Sequence, residues 1–127
     1  MKKLIKLDFG GGTIKREGFI SVDKFGNPDV KHDLDSFPYP FENNSVDKIY
    51  IFHVLEHLKE PLDFLDEAYR ILKISGMLHI KVPHWSDKTA YQNFGHRNFY
   101  DEDAIDWITT KSGSDLSLKK RWKLIEK

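Results

Sequence analysis

Apolar and polar positions change rhythm several times along the chain, and the changes divide it into elements. Residues 4–9 form a short apolar-rich run that enters the glycine cluster Gly10-Gly11-Gly12, which predicts a strand followed by a turn. Residues 18–22 predict a second strand ending at Asp23, and residues 29–32 a short third strand ending in Asp33-Leu34. Pro38 and Pro40 interrupt any regular element, and Asn43-Asn44-Ser45 reads as a turn. Residues 46–52 are rich in β-branched and aromatic side chains and predict a further strand. The rhythm then becomes helical. Leu62, Leu65, Ala68, Tyr69 and Leu72 recur at helical spacing, and Pro61 suits the first turn. Asp66 and Arg70 stand in the favourable order for an outer-face ion pair. Ser75-Gly76 is expected to end this helix, with Gly76 as a left-handed cap. Residues 77–82 predict the next strand, stopped by Pro83. Residues 99–110 carry a second helical pattern through Ala104, Ile105, Trp107 and Ile108, and residues 121–125 are a final strand candidate.

Strands separated by helices or short crossings imply an α/β fold, with a mostly parallel sheet covered on both faces. A chain of 127 residues is expected to form a single domain, 1–127, with a core large enough to need no disulfide or metal staple. Cysteine is absent, which removes thiolate metal sites and a cysteine nucleophile and suits a reducing compartment. The formal net charge is zero, so no nucleic-acid partner is indicated. The locally basic residues 119–123 are interleaved with an apolar residue, like a strand. Met1-Lys2-Lys3-Leu4-Ile5 mimics the start of an export signal, but Lys6 and Asp8 break the apolar run that should follow. No segment approaches a membrane span, and a cytoplasmic location is expected.

Open parallel sheets bind ligands beyond the carboxyl ends of their strands, where the strand order reverses. Here those ends carry Asp8 to Gly12, Asp23, Asp33, residues 53–57 and residues 83–85. Glycines after a strand let the backbone turn sharply and let a ligand come close to the main chain. Asp23 either accepts the ribose hydroxyls of an adenosine group or is a turn residue before Lys24. The dinucleotide fingerprint is not met: Ile14 replaces a later glycine, and Asp23 follows Gly12 by only about half the usual distance. A full helix does not fit between them, so the helix N-terminus that holds a pyrophosphate is not expected. Asp33 either accepts from an adenine amino group, with Leu34 on the ring, or is a solvated turn acid. His53-Val54-Leu55-Glu56-His57 matches a metallopeptidase spacing. That site needs both histidines on one helical face, whereas His53 directly follows a strand, so no metal ligands are assigned. Finally, Pro83-His84-Trp85 and residues 90–99, with His96 and Arg97, read either as a substrate lid with candidate bases or as aromatic closure of the core edge.

These stretches together resemble the class I S-adenosylmethionine (SAM)-dependent methyltransferases, in particular their short bacterial and archaeal type. The resemblance runs from about Leu4 to Ile108. It is carried by Leu7-Asp8-Phe9-Gly10-Gly11-Gly12, Gly18-Phe19-Ile20-Ser21-Val22-Asp23, His32-Asp33-Leu34, Phe41-Glu42-Asn43-Asn44-Ser45-Val46-Asp47, His53-Val54-Leu55-Glu56-His57-Leu58, Arg70-Ile71-Leu72-Lys73 and Gly76-Met77-Leu78-His79-Ile80-Lys81-Val82-Pro83-His84. The middle block is the most specific. The resemblance implies a three-layer Rossmann-like methyltransferase sheet with a reduced first helix and a shortened C-terminal end. It implies SAM as cofactor, which has no phosphate to neutralise. Gly10 and Gly12 would lie under its methionine portion, Asp23 would hold the ribose, Asp33 and Leu34 the adenine, and His53 would lie beside the sulfonium. Asp8, Gly11 and Lys24 complete the expected cofactor-binding set. His84 and His96 are the expected general bases for a small-molecule or sugar-like acceptor. The family normally closes its sheet with an antiparallel hairpin, and Lys127 comes too early for one. An open edge covered by a homodimer or a partner chain is therefore expected. The alternatives are a non-catalytic SAM- or nucleotide-binding module, or subunit of a larger assembly, and a metal-dependent hydrolase using His53, Glu56 and His57.

Overall fold

The computed structural model describes residues 3–11 and 15–82. Its elements are β1 (Lys6–Phe9), β2 (Ile20–Asp23), β3 (Val30–Lys31), β4 (Val46–Phe52), a 3-10 turn (Leu55–His57), α1 (Pro61–Ile71) and β5 (Leu72–Lys81). All neighbouring strands run parallel, in the order β3-β2-β1-β4-β5. The chain thus builds outward from β1 to β3, then returns to the other side of β1. The order reverses between β1 and β4, which is where an open α/β sheet forms its ligand crevice. The fold is a Rossmann-like α/β sheet of the kind expected.

The two faces of the sheet differ. Leu7, Phe9, Val22, Ile49 and Ile51 are buried with Phe64, Leu65, Ala68 and Ile71 of α1 in one core cluster. Phe9 is its centre, with the rings of Tyr39 and Phe64 set edge-on at 5.7 and 6.1 Å, a favoured aromatic geometry. The opposite face is set by register. Asp8 pairs with Ser21 and Tyr50, and Tyr50 with His79, so these side chains share that face. Phe19 and Phe52 flank Tyr50 there, at 4.6 and 4.9 Å between ring centroids.

β4 has its expected bounds, while β1, β2 and β3 are shorter than the apolar runs that predicted them. The helix differs more. It does not continue to Gly76; it ends at Ile71, and Leu72 is already extended. Leu72 is buried and pairs with Val46, so the chain is drawn into the sheet at once. Between Leu72↔Val46 and Met77↔Lys48 the β5 side carries the extra residues, and regular pairing begins at Met77. Gly76 is not a left-handed cap: the positive-φ glycines among the described residues are Gly10, Gly18 and Gly26. Its small size serves close packing instead, because a Cβ there would stand 2.9 Å from Leu72 Cδ2 and 3.0 Å from the Lys73 carbonyl.

The expected Asp66–Arg70 pair is also replaced. Arg70 turns to Glu67 and spans back to the preceding loop, where its guanidinium donates to the carbonyls of Tyr39 and Phe41 and to Asn43 Oδ1. Glu67 accepts the Tyr39 backbone N–H. Burial raises the Glu67 carboxyl, but the bonds from Arg70 and Tyr39 outweigh it and leave it below its usual value. Among the described residues, no helix is long and apolar enough to cross a membrane.

Candidate functional site

The site begins where β1 ends. Gly10 has φ +71°, a left-handed conformation that favours glycine, and its N–H donates to the Val22 carbonyl at 2.8 Å. A Cβ at Gly10 would stand 2.4 Å from Val54 Cγ2, so the glycine turn and the loop after β4 meet with no space between them. Within that loop His53 is itself left-handed at φ +58°, and its N–H donates to the Lys81 carbonyl at 2.7 Å. A non-glycine residue in this region stores strain and marks a tightly determined backbone. The side chain of His53 is exposed.

β2 delivers Asp23 to the same end of the sheet. One carboxylate oxygen, Oδ1, accepts the backbone N–H groups of Lys24 and Phe25 at 2.7 and 3.2 Å, which fixes the carboxyl orientation. The loop beyond is held by Asp29, which accepts from the Ser21 N–H and hydroxyl and from Lys15. These bonds hold the Asp29 carboxyl below its usual value. Asp33 Oδ1 accepts the Asp35 N–H at 2.9 Å in a similar turn. Leu34 is only 7% exposed and belongs to the core, with its carbonyl accepting the Tyr39 hydroxyl. A ligand would meet Leu34 only on that small remaining surface.

Asp8 is the unusual acid. It is 4% exposed within the sheet, and burial pushes its carboxyl above the usual range despite Arg16 beside it. Arg16 Nε lies 3.6 Å from Asp8 Oδ2. Its guanidinium lies over the rings of Tyr50, Phe52 and Phe19 at 5.0, 5.2 and 5.6 Å, within cation–π range. The described part of the stretch between the glycines and Asp23 holds no helix; Phe19 N–H donates to the Arg16 carbonyl in a turn, with Gly18 at φ +80°.

Asp8, Gly10, Gly11, Asp23, Lys24 and His53 thus lie at the carboxyl ends of β1, β2 and β4, with Asp33 beyond β3. Gly12, His84 and His96 lie outside the described residues. Among the described residues, no group of three or more His, Asp or Glu side chains is gathered to hold a metal ion; His53, Glu56 and His57 are not brought together in that way. Glu56 is buried instead. Sequence reasoning missed Arg16 and Val54. No spacing rule ties Arg16 to Asp8 or Val54 to Gly10, because both contacts depend on which strands become neighbours.

A parallel sheet in 3-2-1-4-5 order, with a glycine turn on β1 and an acid ending β2, defines the Rossmann-like class of adenosine-binding fold. A family profile described as a methyltransferase domain matches residues 16–80, more than half of the chain, and the chain belongs to the class I SAM-dependent methyltransferase family. No curated protein matches it. Among solved structures it is similar to a SAM-dependent methyltransferase from Archaeoglobus fulgidus, at 22% identity and a TM-score of 0.68, over 82% of this chain and 57% of that one. It is also similar to a provisionally assigned methyltransferase of Haloferax volcanii, solved in complex with the methyltransferase activator Trm112. There the identity is 18% and the TM-score 0.61, over 82% of this chain and 58% of that one. A third similar structure is a provisionally assigned methyltransferase from Bacillus halodurans, at 15% identity and a TM-score of 0.65, over 89% and 64% of the two chains. The chain spans less than two thirds of the length of each of these structures.

The residues present fit SAM. Gly10 makes room for Val54, which brings the loop after β4 against the glycine turn. Carboxylates stand next to the end of β1 (Asp8), at the end of β2 (Asp23) and in the turn after β3 (Asp33), and an ammonium, a ribose diol and an adenine amino group are each groups that need acceptors. No helix N-terminus is presented to a pyrophosphate by the described residues after the glycines.

Proposed function

We propose that this chain is a single SAM-dependent methyltransferase domain acting on a small-molecule or sugar-like acceptor. The observation that carries this reading is the closure of the Gly10 turn on Val54 at the β1/β4 reversal, with Asp23 oriented at the neighbouring strand end. When bound, SAM supplies an activated methyl group on a sulfonium sulfur. The chain's own task is to bind, orient and shield. Asp23 accepts the ribose hydroxyls, Asp33 the adenine amino group, and the His53 loop lines the space beside the sulfur. His84 or His96 serves as general base where the acceptor is a hydroxyl or a protonated nitrogen. A second copy or a partner chain covers an open edge of the sheet. That the similar Haloferax volcanii protein was solved in complex with a methyltransferase activator supports a partner chain.

Titration with S-adenosylhomocysteine by calorimetry tests the core of the proposal. One site per chain is expected, and Asp23→Ala should weaken it roughly 10- to 100-fold, the worth of charge-assisted hydrogen bonds. Absence of binding at millimolar ligand, with Asp23→Ala indifferent, would refute it.

A further inference from the structure

We propose that Asp35 is a positioning residue for base selection. By accepting the backbone N–H of Lys59 it staples the turn after β3, which carries Asp33, to the loop after β4, which carries His53. The inference rests on the SAM reading above and extends it to Asp35 and Lys59, which lie outside the expected site.

The staple joins distant segments. Asp35 Oδ1 accepts the Lys59 N–H at 3.0 Å. β3 and β4 are not neighbours, because β2 and β1 stand between them. Three strand spacings amount to about 14 Å. The segments that follow β3 and β4 therefore meet across the carboxyl ends of the strands between them, which is the end of the sheet where the ligand crevice lies.

Both partners are set by their surroundings. Leu34 is buried and its carbonyl accepts the Tyr39 hydroxyl, which pins the turn from the core side. Asp33 and Asp35 flank Leu34 and are half-buried. Within the turn, the Ser36 N–H donates to the Asp33 carbonyl at 2.9 Å, and His32 Nε2 lies 2.8 Å from the Ser36 carbonyl oxygen. Those bonds shape the turn but do not place it against the β4 loop. In that loop Leu55 and Leu58 are buried and Leu58 is extended. Lys59 follows directly with its side chain exposed, so it contributes its main-chain N–H rather than its ammonium.

The staple reaches Asp33 through one further bond. The Asp35 N–H donates to Asp33 Oδ1 at 2.9 Å. One Asp33 oxygen is thus held, and Oδ2 is left for an amino group on the base. An ionised carboxylate only accepts, so it takes the amino group of adenine and repels the oxygen that hypoxanthine carries in the same place. This discrimination depends on how Asp33 is aimed, and a displacement of about 1 Å is enough to lose most of it. Asp35 touches neither the base nor the reacting carbon; it acts through Asp33.

The test compares S-adenosylhomocysteine with S-inosylhomocysteine, which has an oxygen in place of the adenine amino group, by calorimetry on the full chain. The wild type should bind the adenine form about 10- to 100-fold more tightly. Asp35→Ala should reduce that ratio about fivefold or more, the size of a coupling between neighbours in one hydrogen-bond network. A purely structural part for Asp35 would weaken both probes by the same factor and leave the ratio unchanged. Asp35→Asn keeps an oxygen that can accept the Lys59 N–H and should restore most of the ratio. In an Asp33→Ala background, Asp35→Ala should change the ratio by less than about twofold, because the two residues act in series. Should Asp35→Ala not fold, Lys59→Pro takes its place. It deletes the donor and leaves both acids, and the extended Leu58 suits a following proline. An unchanged ratio in the folded variant, or no recovery with Asp35→Asn, overturns the inference. If Asp33→Ala removes the preference for adenine but Asp35→Ala does not, this inference fails alone. If the wild type binds neither probe, the SAM reading fails and takes this one with it.

Discussion

At the residue scale, Gly10 and Gly18 separate two uses of glycine. Both have positive φ, but a Cβ at Gly18 would have only Lys6 Nζ and Cε nearby, at 3.5 and 3.8 Å, whereas one at Gly10 would overlap Val54. Gly18→Ala should therefore cost about 1–2 kcal/mol, the penalty of the left-handed conformation alone. Gly10→Ala should exceed it by about 1–3 kcal/mol, the cost of forcing a side chain into a closed contact. Trimming the neighbour with Val54→Ala in the Gly10→Ala background should recover part of that excess. Urea-unfolding midpoints of the variants check this. An equal cost at both glycines would mean that the glycine turn and the His53 loop are not closed on each other. The sequence marked Gly10 as a turn residue; it could not name Val54 as the reason a side chain is excluded.

At the element scale, α1 is fastened to the chain before β4 by Arg70 and Glu67. The amphipathic spacing of the helix was legible in the sequence, but the direction in which Arg70 reaches was not. The i,i+4 rule favours Asp66 for an isolated helix, whereas in the folded chain the carbonyls of Tyr39 and Phe41 and the Glu67 carboxylate draw the guanidinium to the loop side. Arg70→Met should destabilise the fold by roughly 2–3 kcal/mol at neutral pH, the worth of a charge-assisted hydrogen bond left unmade. The Glu67 carboxyl is lowered in the folded state. Its contribution is therefore present above the unfolded carboxyl pKa of about 4.3 and is lost as pH falls through the lower folded value. The gap between wild type and Arg70→Met, read from urea midpoints, should narrow on acidification. A gap independent of pH would show that the ion pair contributes little beside the bonds from Arg70 to the backbone carbonyls. The end of α1 makes the same point. Gly76 carries a helix-stop signal, yet Leu72 leaves the helix earlier because its pairing with Val46 and its burial outweigh further helical turns.

At the scale of the whole molecule, the described sheet ends on the side of β2 in a strand of two residues, β3. A short edge strand is one way proteins limit unwanted pairing, and a covering chain is another. If a second copy covers it, light scattering of the purified chain should give about twice the 14.9 kDa mass of one chain. A monomeric mass at every concentration would remove the homodimer.

The sequence by itself determined the order of the elements, the parallel α/β class, the glycine turn after β1 and the acid that ends β2. Each of these depends on side-chain periodicity or on the conformational demands of a few adjacent residues, and such signals are local. It also showed that the gap between the glycines and Asp23 is too short for a helix, which is a matter of counting residues. Only the tertiary structure decided what the described part of that gap does: its turn lays Arg16 over Tyr50 and Phe52 and beside Asp8. It alone decided that Val54 closes on Gly10 and that Arg70 holds the loop. Those contacts join segments far apart in the chain, and they exist because parallel pairing places β4 beside β1. The register that aligns Tyr50 with Asp8 is a property of the assembled sheet, so a site built across it becomes visible only once the strands are paired.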